Sequence, residues 1–125
     1  MSSRYLEFVI EQLSSLGEIT SRAMFGGHCL YCHGVVFALV ADDELYLKVD
    51  DVNRPEFEAA GFKPFRPFPD QDVVMQYYPA PAEMFDSEAG LARWAGGAIE
   101  AGRRKADRKR ARKKAGGRAP STRAQ

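Results

Sequence analysis

Residues 35–49 read Val35-Val36-Phe37-Ala38-Leu39-Val40-Ala41-Asp42-Asp43-Glu44-Leu45-Tyr46-Leu47-Lys48-Val49, and this stretch decides the fold class. Seven apolar residues meet an Asp-Asp pair, and a second strand-forming run follows. Aspartate favours tight turns through local hydrogen bonds, so the spacing predicts an antiparallel hairpin. In the return strand Leu45, Leu47 and Val49 alternate with Glu44, Tyr46 and Lys48, which predicts one face in the core and one in water. Val35 to Ala41 is apolar on both faces. Such a strand belongs in the middle of a sheet, with its second face covered by a later helix or by a second subunit.

Working upstream, His33-Gly34 turns the chain out of a short strand over His28 to Cys32. Ile19 to Phe25 reads as extended chain, broken by Gly26-Gly27. Tyr5, Leu6, Val9, Ile10, Leu13 and Leu16 recur at spacings of three and four, the stripe of a first helix. Ser2 or Ser3 suits its start and Gly17 its end. Downstream, Asn53 is placed to cap a short helix from Arg54 to Ala60 that ends at Gly61. Phe62, Phe65 and Phe68 alternate with Pro64, Pro67 and Pro69 as an irregular or edge segment. Val73 to Tyr78 reads as another strand. Ser87 caps a last helix whose apolar side holds Leu91, Trp94, Ala95, Ala98 and Ile99. Gly96-Gly97 weakens that helix by roughly 1 kcal/mol per glycine, and a close approach to the sheet would account for small residues there. The order is helix, three or four strands, helix, one or two strands, helix. It predicts an α+β fold: an antiparallel sheet with helices packed mainly on one face.

The 125 residues suit one domain, but their charge is split. Residues 1–101 hold 7 Lys and Arg against 16 Asp and Glu, a net of −9. Residues 102–125 hold 11 against one, a net of +10. The reading is therefore an acidic body, 1–101, and a basic arm, 102–125, expected to be disordered because the apolar pattern stops at Gly102. No apolar run approaches the roughly 20 residues of a membrane span. With Glu7 early and no continuous apolar stretch, no export signal is expected and the location is expected to be cytoplasmic.

The sharpest chemical motif is His28-Cys29-Leu30-Tyr31-Cys32-His33. Cys29-x-x-Cys32-His33 has the spacing of covalent haem attachment, and two Cys with two His could in principle ligate zinc. A metal- or haem-binding protein through these four residues is the least favoured alternative: haem attachment needs an export signal, on a strand Cys29 and Cys32 point to opposite faces, and a strand does not aim four side chains within six residues at one atom. Ordinary free thiols in a reducing compartment are the expectation, with no cofactor and no metal. Asp42-Asp43, Asp50-Asp51 and Asp70/Asp72 fall in predicted turns, where they need no catalytic role. No phosphate loop, nucleophile elbow or dinucleotide fingerprint occurs. Phe62, Phe65, Phe68, Tyr77 and Tyr78 could stack bases, but an acidic body repels phosphates, so packing is the better reading.

Arg103, Arg104, Lys105, Arg108, Lys109, Arg110, Arg112, Lys113 and Lys114 put nine cations in twelve positions. That density predicts salt-dependent binding of DNA or RNA. The alternatives are a passive solvated tail on a protein-interaction domain, or an arm that lies against its own acidic body. Lys48 and Arg22 are expected on the solvent side of the sheet, in surface ion pairs with Asp50 or Glu44 or against a partner.

Met24-Phe25-Gly26-Gly27, then Tyr31, Gly34, Phe37-Ala38 and Leu45-Tyr46-Leu47-Lys48-x-Asp50, resemble the N-terminal domain of the TfoX/Sxy competence-regulator family. The resemblance runs on through Asn53, Phe57, Gly61, Pro64-Phe65, Met75-x-Tyr77-Tyr78, Pro81 and Trp94, and spans residues 5–101. It implies a fold like secretion chaperones, often a homodimer, without enzymatic activity or cofactor. It also implies a part in regulating transcription of DNA-uptake genes through a transcription-regulator partner. Full-length regulators of the family carry a second helical domain, where this chain has the basic arm.

Overall fold

The computed structural model describes residues 3–24, 27–64 and 76–116. The chain opens with α1 (Ser3–Leu13), extended by a 3₁₀ turn at Ser14–Leu16. Five strands follow: β1 (Ile19–Met24), β2 (Gly27–Cys32), β3 (Val35–Ala41), β4 (Glu44–Lys48) and, after α2 (Arg54–Ala59), β5 (Tyr77–Pro79). They form one antiparallel sheet in the order β1-β2-β3-β4-β5. A meander is what short turns between consecutive strands produce. As its doubly apolar sequence requires, β3 is the central strand.

Both tight turns use left-handed backbone. His33 and Gly34 have φ of 51° and 82°, and Asp42 and Asp43 have φ of 52° and 58°. Two consecutive residues with positive φ give a turn whose twist matches that of the flanking strands. A bulge follows the first turn: Tyr31 pairs with Val36 while Leu30 pairs with Ala38, which leaves Phe37 as the extra residue, fully buried.

The helices cover one face. Leu30, Ala38, Leu47 and Tyr78 lie side by side across four strands. They are buried in one core with Val9 and Leu13 of α1, Phe57 of α2, and Trp94, Ala98 and Ile99 of the final helical run. Phe57 is its aromatic centre, 4.9 Å from Trp94 and 5.4 Å from Tyr78 between ring centroids. Phe62 also packs on Phe57, while Phe65, Phe68 and the strand expected from Val73 to Met75 fall outside the described residues.

The final run begins at α3 (Glu88–Gly90), where the Ser87 hydroxyl accepts from the Gly90 N–H at 3.0 Å, the expected cap. A π-type turn at Leu91–Ala95 leads into α4 (Gly96–Gly116). Of the arm expected to be disordered over 102–125, α4 takes in the part to Gly116 without a break, and residues 117–125 lie outside the described residues. Ala and Arg/Lys are strong helix formers, and a helix already nucleated by packing needs only to propagate. The close approach to the sheet is not at Gly96-Gly97. It is at Gly102, where a Cβ would stand 2.4 Å from the Val36 carbonyl oxygen.

Candidate functional site

Beyond Gly102, α4 carries the cationic run past the end of β3. Residues 103–116 extend about 20 Å at 1.5 Å per residue. Arg103, Lys105, Arg108, Lys109, Arg110, Arg112 and Lys113 are exposed. The nine cations do not share one role. Arg104 turns inward: its Nε and Nη2 donate to the two carboxylate oxygens of Asp50 at 2.7 and 2.9 Å. Arg103 pairs with Glu100 at 2.8 Å, and Arg110 pairs with Asp107. Among the described residues, Lys105, Arg108, Lys109, Arg112 and Lys113 form no salt bridge, so theirs are the charges a polyanion can meet.

The Arg104–Asp50 fork ties α4 to the turn between β4 and α2. That turn is closed on itself. The Asp50 N–H donates to the Asn53 side-chain oxygen at 2.8 Å, and Asp50 Oδ1 accepts from the Val52 N–H at 3.0 Å. Asn53 Nδ2 donates to the Lys48 carbonyl at 3.1 Å. Asn53 therefore does not cap α2 as its position suggests; its side chain is spent on bracing the turn and is buried. Hydrogen bonds from Arg104 hold the Asp50 carboxyl down at about 2, with the Val52 and Asn53 amides assisting.

A carboxylate so lowered stabilises the fold fully above its ordinary pKa of 3.8, and that contribution is lost as pH falls from there through about 2. Asp50→Asn should lower stability by about 2 kcal/mol at neutral pH. Urea unfolding midpoints at neutral and acid pH check this. The gap between native and variant chains should close in acid, and equal midpoints at neutral pH would overturn it.

Lys48 is the main departure from the sequence reading. It was expected on a wet face in a surface ion pair. It is only 5% exposed, and among the described residues it forms no salt bridge, because Asp50 is already engaged by Arg104. Its ammonium lies 4.8 Å from the centroid of the Tyr77 ring, its register partner on β5. Burial first, then the positive charge of Lys105, draw its pKa from 10.5 to about 8. Burial likewise pushes the Tyr77 hydroxyl up to about 12. Arg22, by contrast, is exposed as expected.

Lys48 opens into a cleft of about 670 Å³ bordered by Tyr31, Val36, Tyr77 and the Lys105–Arg110 part of α4. Tyr31 and Lys48 each alternate with core residues, Leu30 and Leu47, so both point to the sheet face opposite the core. The cleft lies where α4 passes the end of β3.

The His28–His33 motif does not assemble. Cys29 pairs with Leu39, off the core face, whereas Cys32 lies in the core with Leu30. Both thiols are buried, and burial raises the pKa of each. His28 Nδ1 is buried without a hydrogen-bond partner. Among the described residues no three His, Cys, Asp or Glu side chains are grouped to hold a metal. Likewise, among the described residues no helix is long and apolar enough to cross a membrane.

A five-stranded meander backed by helices, with a cationic helix docked across it, defines a small α+β module. The chain belongs to the TfoX N-terminal domain family, whose family model matches residues 11–102. That makes it a regulatory, competence-type module of a family not known as enzymatic. No curated protein matches the chain. The match ends at Gly102, the glycine that seats α4 on β3, so every cation of the arm lies beyond it.

Proposed function

We propose that the chain is a non-enzymatic regulator of transcription or competence, in which the body contacts protein partners and α4 contacts nucleic acid. The supporting observation is the form of the arm. A stiff helix carries five exposed cations with no intramolecular salt bridge among the described residues, on a stem fixed by Gly102 and by the Arg104–Asp50 fork. A fixed cationic rod meets phosphates with less ordering cost than a loose tail. Its binding comes from counterion release, so it carries little sequence preference by itself.

The fork also decides how to test the idea. Deleting the arm at residue 102 would remove Gly102 and Arg104 and damage the body. The better variant neutralises Arg108, Lys109, Arg112 and Lys113 to glutamine in the full chain. Fluorescence anisotropy on duplex DNA should show the native chain losing roughly a hundredfold in affinity over a fourfold rise in salt, as about four phosphate contacts require. The neutralised chain should bind weakly with a flat salt slope. Equal affinity of the two chains, or no binding by the native chain at low salt, would refute the arm's role and leave protein contact by the body as the function.

A further inference from the structure

The cleft between the outer face of the sheet and α4 has an unbalanced charge. Lys48, Lys105, Lys109 and Arg110 line it, and among the described residues no carboxylate does. Of the acids close by in sequence, Asp50 is engaged by Arg104 and Asp107 by Arg110. Lys48 is buried, with the Tyr77 ring beneath its ammonium. Three ammonium groups facing one cavity repel one another, and a buried lysine that forms no salt bridge among the described residues carries a desolvation cost that the more distant Asp50 only partly offsets. An anion in the cleft removes both penalties. The remaining walls are not those of a bare anion site. Tyr31, Val35 and Val36 give an apolar and aromatic side, and about 670 Å³ falls within the roughly 300–1,000 Å³ of small-molecule sites.

We propose that this cleft binds a nucleoside monophosphate or a ligand of the same chemistry: a phosphate held by Lys48, Lys105 and Lys109, with its ring along Tyr31 and the valines. The site shares Lys105 and Lys109 with the exposed face that would meet a duplex, and Lys48, which lies inside the fold, sets it apart.

Calorimetric titration of the full chain with adenosine monophosphate, inorganic phosphate and a short DNA duplex tests it. Adenosine monophosphate should bind saturably, one per chain, and more tightly than inorganic phosphate. Lys48→Met and the exposed Lys105→Gln should each weaken that binding by at least about tenfold, or 1.4 kcal/mol. Arg108→Gln, a cation outside the cleft, should leave it unchanged. The Lys105 variant disturbs no buried packing, so it keeps the test independent of folding. Absence of saturable binding, or equal losses in the Arg108 and Lys105 variants, would overturn the site. Inorganic phosphate binding as tightly as the nucleotide would overturn the assignment of the ligand. The duplex should compete with the nucleotide, because Lys105 and Lys109 serve both; a nucleotide whose binding is unaffected by bound duplex would overturn their part in the cleft.

Discussion

Gly102→Leu should destabilise the chain by about 3 kcal/mol, the upper part of the range for forced overpacking. A Cβ at this position meets the Val36 carbonyl oxygen at 2.4 Å and Val35 Cγ1 at 3.1 Å. The first contact is backbone of the central strand, where Val36 pairs with Tyr31 of β2, so it can move aside only by breaking that pairing. The helix must therefore lift, and lifting it loosens Ala98, Ile99 and Ala101 from the core. Gly96→Ala is the control on the same helix. Among the described residues nothing lies within 4 Å of its Cβ position, and its backbone is already helical. It should gain up to about 1 kcal/mol from helix propensity. Urea midpoints of the two variants should thus move in opposite directions. If Gly102→Leu unfolds at the native midpoint, α4 does not sit on β3 as described. The functional consequence is selective: the lifted helix keeps its cations, so low-salt DNA binding should persist, whereas the cleft loses a wall.

The meander was legible because its signals are local. The alternation of Leu45, Leu47 and Val49, the doubly apolar run from Val35 to Ala41, and turn residues at His33-Gly34 and Asp42-Asp43 each act within a few positions. What the sequence concealed depends on residues distant along the chain. Lys48 reads as a solvent residue by strand periodicity, yet Tyr77 lies under its ammonium and α4 borders the same cleft. Arg104 reads as one more cation of a basic run, yet its partner Asp50 is 54 residues away. Asn53 has the residue type of a helix cap, but its side chain instead closes the turn around Asp50. The arm's helix was missed because a run without apolar periodicity looks like free tail. Its one signal was Gly102, a small residue where the body's helix would otherwise end, and that reads equally well as a helix stop.

Lys48→Met should stabilise the fold at neutral pH by roughly 2–3 kcal/mol, and the sign follows from proton linkage. In the folded chain the Lys48 ammonium titrates at about 8, against 10.5 when unfolded. Below about 8 both states hold the proton, and the folded state bears the full cost of a buried charge beside Lys105. Between about 8 and 10.5 the folded chain releases the proton while the unfolded chain keeps it, so stability rises with pH across that window. Methionine has similar length, no charge and no desolvation cost, and it can still lie on the Tyr77 ring. The variant should therefore unfold at higher urea at pH 7, and its stability should lack the native rise between pH 8 and 10.5. A native profile flat across that window, or a destabilised variant, would contradict the burial of Lys48. The expected stabilisation also bears on function. A charge that the fold would be more stable without, placed in a cleft with other cations and, among the described residues, no carboxylate, fits a binding group rather than a structural one. A variant that gains stability while losing the phosphate ligand would separate those two roles in one protein.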